Sequence, residues 1–316
     1  MASARSSESA ASSDLRRDDR TRPRVPPGFV LAAAVVGISF AAPLVRTSDA
    51  HAVTIAFWRL GFALLPVAVA LGLTREWRQW RGLSALEWTL ALIAGVVLAG
   101  HFWTWNLSVE LTTVAASVTL VSLQPAIVAV LSAVYLRERP QPIQLVGIAI
   151  AISGAVVIAL PDLWGPAVGD TPENRTAGNL LAAFAAVLAA VYYVLGRRLR
   201  RGLGIWSYVG IVYSVCFVTL GALALALGVE LWPQPQREWL VFAGLALGPM
   251  ILGHTGMNWA LRYRPAYAVN VTVLAEPIGA SLLAALLPWI AEVPPATTIV
   301  GGLIVLSGIL LASWRR

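Results

Sequence analysis

The sequence predicts an all-α membrane protein of ten transmembrane helices arranged as two inverted five-helix repeats. Three observations lead there. Apolar residues make up 58% of the 316 and charged residues 12%, with a mean hydropathy of +0.74, outside the range of soluble globular domains. The apolar signal recurs in stretches of about 20 residues, the length that crosses a bilayer's hydrocarbon core. The arginines then gather in alternate joints between those stretches.

In chain order, residues 1–27 are rich in Ser, Arg and Asp and are expected to form a disordered cytoplasmic tail. They do not have the form of a signal peptide. Spans are expected at 28–45, 53–73, 88–108, 113–135 and 143–161, then at 177–196, 205–229, 238–259, 265–287 and 296–314, with Pro, Gly and charge clusters between them. Pro43, Pro66, Pro125, Pro249 and Pro277 fall inside spans, where each removes one backbone hydrogen bond and permits a kink. Pro125 and Pro277 are the candidate hinges. "GLALG" and "GGLIVLSG" give their helices small faces on which backbones can approach. Cys216 is the single cysteine, so no internal disulfide forms and the residue fills helical space.

All 23 basic residues are arginine. With the N-terminus inside, the inner segments hold Arg5, Arg16, Arg17, Arg20, Arg22 and Arg24, then Arg75, Arg78 and Arg81, then Arg137 and Arg139. They continue with Arg197, Arg198, Arg200 and Arg201, Arg262 and Arg264, and Arg315 and Arg316. Only Arg46, Arg175 and Arg237 fall outside, and Arg59 lies within a span. A wrong helix count would scramble this alternation, so both termini are expected in the cytoplasm. The net charge of +7 reads as orientation in the lipid bilayer, not as nucleic-acid binding.

The chain also repeats itself. Sliding it by 153 places His101 on His254; by 152, Pro125 on Pro277; by 154, Glu138 on Glu292, Gly147 on Gly301 and Gly154 on Gly308. Two halves follow, 28–161 and 177–314. Five spans per half force the second to enter from the opposite side, the geometry in which a cavity between repeats can open alternately to either face.

The segments "LQPAIVAVLSAVYLRERPQPIQLVGIAIAISGAVVIAL" and "LAEPIGASLLAALLPWIAEVPPATTIVGGLIVLSGILLASW" close the two halves. Each carries a Pro in the fourth helix, an acidic residue after it and a Gly-rich fifth helix. In this the chain resembles the EamA-type transporters of the drug/metabolite transporter superfamily over 28–314. "RE" at 137–138 and "AE" at 291–292 stand where that family commonly has "GE". The resemblance implies a bacterial cytoplasmic (inner) membrane location, export of a small-molecule substrate such as an amino acid, and frequent coupling to a proton or ion gradient.

Taken from the residues alone, the chemistry must lie in polar groups at membrane depth, each costing about 2.5–3.5 kcal/mol if charged. Glu276 in "NVTVLAEPIGASLLAALL" is ~16 Å from the inner edge, and Arg59 and His101 are ~9 and ~10 Å from the outer one at about 1.5 Å per residue. Glu276 is expected to line a central cavity, carrying a coupling proton or meeting a substrate amine, with Arg59 or His101 as partner. A neutral, structural Glu276 and a snorkelling Arg59 are the competing readings. Asn106, Gln124, Asn258 and Asn270 mark helices three, four, eight and nine as cavity-lining, or serve as helix glue. Trp58, Trp103, Trp105 and Trp259 lie deeper than the nine tryptophans of the interfacial belt, as pocket walls or as lipid-facing groups. His101 and His254 are expected at different depths, which argues against a shared metal. No cofactor is expected, and no protease or transferase constellation is present; an intramembrane enzyme and a passive channel are the alternatives to a carrier.

Overall fold

The computed structural model describes residues 23, 25–112, 114–164, 172–286 and 296–314. Nearly all of the expected tail, together with Trp289, Glu292, Arg315 and Arg316, lies outside the described residues. Among those described, all regular structure is helical. The helices are α1 (Pro27–Arg46), α2 (Ala52–Thr74), α3 (Ala85–Leu111), α4 (Ala116–Leu136), α5 (Pro142–Trp164), α6 (Pro172–Arg200), α7 (Ile205–Leu227) and α8 (Gln236–Ala260). Three short pieces, Ala266–Asn270, Val271–Ala275 and Glu276–Leu286, make up α9, and α10 is Ala296–Ala312. By length and composition seven of these helices among the described residues suffice to cross a membrane, α1–α4 and α6–α8; α5 and α10 contain shorter apolar stretches, Pro142–Ile158 and Ile299–Ala312.

Glycine positions define how the halves face each other. On α5 and α10 an added Cβ at Gly147 would lie 2.7 Å from the Gly308 carbonyl oxygen, and one at Gly154 would lie 2.7 Å from that of Gly301. As α5 advances, α10 recedes, so the two are antiparallel. The sequence repeat matches Gly147 with Gly301 and Gly154 with Gly308; each therefore touches the equivalent of the other. That reciprocal pattern is the mark of a two-fold relation, here about an axis across the helices. The α2 and α7 pair is antiparallel as well: Phe57 packs on Gly221 and Phe217 on Gly61, and the two rings stack with centroids 4.2 Å apart. Likewise Gly37 of α1 meets the backbone of Gly248 and Gly253 on α8.

The helices nearest the axis are irregular. The first pauses at Phe40, three residues before Pro43, and Ser39 returns its hydroxyl to the Val35 carbonyl at 2.7 Å. In α4 the helix breaks after Val121 and restarts at Gln124–Pro125. Wide π turns run through Ala246–Thr255 around Pro249, and a tight 3-10 turn over Val271–Ala275 precedes Glu276–Pro277. Pro66, by contrast, sits in an uninterrupted α2. Each break lies next to a residue that cannot donate its backbone nitrogen.

A Val at Gly154 must push α5 off the α10 backbone, and overpacking of this kind costs about 1–3 kcal/mol. Gly154→Val is expected to lower the thermal midpoint of the detergent-solubilised protein by several degrees. Gly28→Ala, which meets nothing within 4 Å, should leave the midpoint in place. Equal midpoints for both variants would refute the crosswise glycine contact.

Candidate functional site

The π turns of α8 and the breaks in α1, α4 and α9 surround a cavity of about 50 Å³ at the axis. Its charged and polar lining is Arg59, His101, Gln124, Tyr193, His254 and Glu276; Ile38, Phe102, Trp105, Val121, Met257 and Val273 supply most of the apolar wall. Helices one, two and six thus join three, four, eight and nine. The volume is far below the roughly 300–1,000 Å³ of pockets that hold drug-sized ligands.

Arg59 is 1% exposed, and its Nε and Nη1 have no hydrogen-bond partner among the described residues. Its guanidinium carbon lies 4.1 Å from the centroid of the Phe102 ring, a cation–π contact in a desolvated setting. Glu276 makes no hydrogen bond to a described residue, and no ion pair within 4.0 Å joins it to Arg59. Gln124 sits at the position the repeat matches with Glu276. It donates from Nε2 to Asn270 Oδ1, so one member of the equivalent pair is engaged across the halves and the other is open to the cavity.

The two histidines require a correction. Their rings are 6.4 Å apart, not separated in depth. Side chains lean toward the N-terminus of their own helix, so on antiparallel α3 and α8 the rings lean toward each other. The Nδ1 of His101 is 2.9 Å from the Ala185 carbonyl oxygen, and that of His254 is 3.4 Å from the Tyr193 hydroxyl. No group of three or more metal-ligating side chains is gathered among the described residues.

Other expected residues stand outside the lining. Trp58 donates from Nε1 to the Leu231 carbonyl at 2.8 Å and packs edge-on to Trp239 at 4.8 Å. Trp103 is half-buried, and its Nε1 has no partner among the described residues. Asn106 donates to the Ala52 carbonyl at 3.0 Å, and Asn258 to the Tyr192 hydroxyl at 2.5 Å and the His254 carbonyl at 2.7 Å. Trp58, Asn106 and Asn258 thus tie elements together. Sequence reasoning missed Tyr193, Phe102 and Met257, whose residue types are unremarkable inside an apolar helix.

Side-chain ties join helices at both ends of the bundle. At the arginine-rich end Glu138 Oε1 accepts from Arg197 Nε and Arg201 Nη2, both at 2.8 Å, while its Oε2 is 3.4 Å from the Ala266 backbone nitrogen. Arg197 also donates to the carbonyls of Leu261 and Arg262. Arg137, just before Glu138, has φ +57°; the position where "GE" relatives keep glycine is the left-handed cap of α4. An L residue there costs about 1–2 kcal/mol. At the opposite end buried Glu238 accepts from the Ser48 hydroxyl and from the Asp49 backbone nitrogen at 3.1 Å. Arg46 donates to the Val109 carbonyl at 3.1 Å.

An all-helical chain with these antiparallel equivalents around a polar axial cavity is a multi-pass membrane protein built as a carrier is built. The chain belongs to the EamA-like transporter family, whose model matches residues 27–160 and again 176–314. It is 30% identical over 200 residues to a "Probable terminal-alkyne amino-acid exporter" of Streptantibioticus cattleyicolor, an alignment spanning 62% of this chain and 63% of that relative's length. It is 28% identical over 301 residues to an "Uncharacterized transporter" of Archaeoglobus fulgidus, covering 91% of this chain and 99% of that one. One solved crystal structure superposes with a TM-score of 0.71 over 91% of this chain and 96% of the other, at 22% identity, a likeness of fold alone.

Glu138 is the shared acceptor of the arginine-rich end. Glu138→Gln removes its charge and should favour opening there by about 1–2 kcal/mol, a factor of about 5–30. In a Cys216→Ala background, a cysteine placed at Met257 in the cavity wall is expected to react faster with a small thiol reagent once Glu138→Gln is added. An unchanged labelling rate would show that this cluster does not control access.

Proposed function

We propose that the protein is a secondary-active exporter of a small metabolite such as an amino acid. It works by alternating access across the bacterial inner membrane, with ten spans and both termini cytoplasmic. The single observation that carries the reading is the carboxyl group of Glu276, without a partner among the described residues, facing a cavity of about 50 Å³ between the two halves. A membrane-buried acid without a partner is costly and marks an ion or substrate path. Inverted repeats exchange the states of their halves, so a site on the axis is presented first to one side, then to the other. The two tied ends fit a state between those extremes, with Pro125 and Pro277 beside the segments that must bend. The relative named as an amino-acid exporter supports the substrate class.

In this reading Glu276 takes up a proton from the outer side and releases it inside as the metabolite leaves. Export is therefore expected to rise as the outside is made more acidic. Proteoliposomes loaded with a labelled metabolite panel test it. Glu276→Gln should abolish accumulation driven by a pH gradient while downhill exchange persists. Gradient-driven flux equal to the native protein's would remove Glu276 from the coupling step.

A further inference from the structure

We infer that Arg59 and Glu276 form the two ends of a receptor for a zwitterion, with the substrate carboxylate on the Arg59 guanidinium and its ammonium on Glu276. The inference rests on the export reading above and adds the chemical class of the ligand. Arg59 carries the argument. It is 1% exposed, lines the cavity and leaves Nε and Nη1 without a partner among the described residues. A buried guanidinium with unused donors is missing an anion, because its planar fork matches a carboxylate and its hydration has been stripped away. The one acid lining the same cavity, Glu276, does not fill that role, since it is not within 4.0 Å. Other nearby polar groups are already engaged: His101 with the Ala185 carbonyl, Gln124 with Asn270, and Tyr193 near His254 and Met257.

A cation at one place and an anion at another, not in contact, suit a molecule with both charges. Phe102, Val121, Met257 and Val273 supply apolar lining, and among the described residues no acid besides Glu276 and no arginine besides Arg59 lines the cavity. Nothing there answers a third full charge, so the ligand is an amino acid with an uncharged side chain. Phe102 lies against the guanidinium at 4.1 Å and holds it flat for the approach of a carboxylate. At the other end the substrate ammonium and a proton compete for one carboxylate. Binding one expels the other, which is the exchange an antiporter needs. The cavity's volume of about 50 Å³ means that the ligand enters when one tied end opens.

The test is a binding measurement on purified, detergent-solubilised full chain, read by intrinsic tryptophan fluorescence because Trp105 lines the cavity. Leucine, methionine and phenylalanine serve as probes, each beside its methyl ester, which keeps only the ammonium, and its N-acetyl derivative, which keeps only the carboxylate. At least one free amino acid is expected to bind, with both blocked forms weaker by about tenfold or more. Arg59→Gln should bring the free amino acid down to the affinity of the ester, and Glu276→Gln down to that of the N-acetyl compound. Thermal melts show that each variant is folded; if Arg59→Gln does not fold, Arg59→Lys replaces it and is expected to bind at least several-fold more weakly than native. An ester binding as tightly as its parent, or unaltered binding by the arginine variant, overturns the inference, as does absence of binding by all three amino acids. Gradient-driven flux of a non-zwitterionic metabolite, with no amino-acid binding, would overturn the receptor while the export reading stands.

Discussion

A two-fold axis lying across the helices constrains everything else in this molecule. Residues that the repeat makes equivalent must lie at equal distances on opposite sides of that line, and those close to it meet their own counterparts. His101 faces His254, and the glycines of α5 and α10 touch crosswise. Within lipid there is little hydrophobic force to press helices together, so close backbone approach and side-chain hydrogen bonds do that work. Glycine at the crossing points is what lets two copies of one helix share the axis. The cavity follows from the same constraint: an axis that can be closed by small residues at one place is left open where the lining is large and polar.

Symmetry supplies the cavity, and its breaking supplies the chemistry. Gln124 and Glu276 occupy matched positions, yet one is a neutral amide bound to Asn270 and the other an acid with no bonded partner among the described residues. Arg59 is matched by no second guanidinium in the lining. The ends differ as well. Glu138 gathers two arginines at one, with side chains of Arg197 and Glu138 only 14% and 15% exposed. At the other Glu238 is held by a hydroxyl and a backbone amide, while the neighbouring Arg237–Asp49 pair is 3.5 Å apart and largely in solvent, where such pairs contribute little. Among the described residues the arginine-rich end is therefore the more firmly tied.

The helical class, the approximate helix positions and the doubling of the chain were legible because lipid imposes coarse rules: long apolar runs, arginines on alternate sides, glycine where backbones meet. Arg59, His101, His254 and Glu276 stood out because ionisable groups at membrane depth are expensive. What failed was local. Depth counted along an ideal helix misjudged His101 and His254, since it ignored the lean of side chains along antiparallel axes. Nothing in "ALGPMILGHT" announces ten residues of π turns beyond its single proline. Trp58 read as a pocket wall from its depth alone, although an indole nitrogen settles wherever a carbonyl is free, here on Leu231. Arg137 in the left-handed region could not be foreseen from its own preferences; only the glycine usual at that place in similar sequences hinted at it.

The distribution of those irregular turns has a mechanical meaning. An uninterrupted α-helix resists bending because each backbone donor is committed four residues back. Where prolines and π or 3-10 turns intervene, donors and carbonyls are already re-paired, and a change of direction exchanges one imperfect pairing for another at modest cost. Such segments flank the cavity in α1, α4, α8 and α9, whereas α2, which carries Arg59, runs unbroken from Ala52 to Thr74. The guanidinium is thus mounted on a rigid element and Glu276 on one that can bend. In the proposed cycle, opening either end would change the distance between the two charges, and a ligand that bridged them would favour the conformations in which that distance matches its own length.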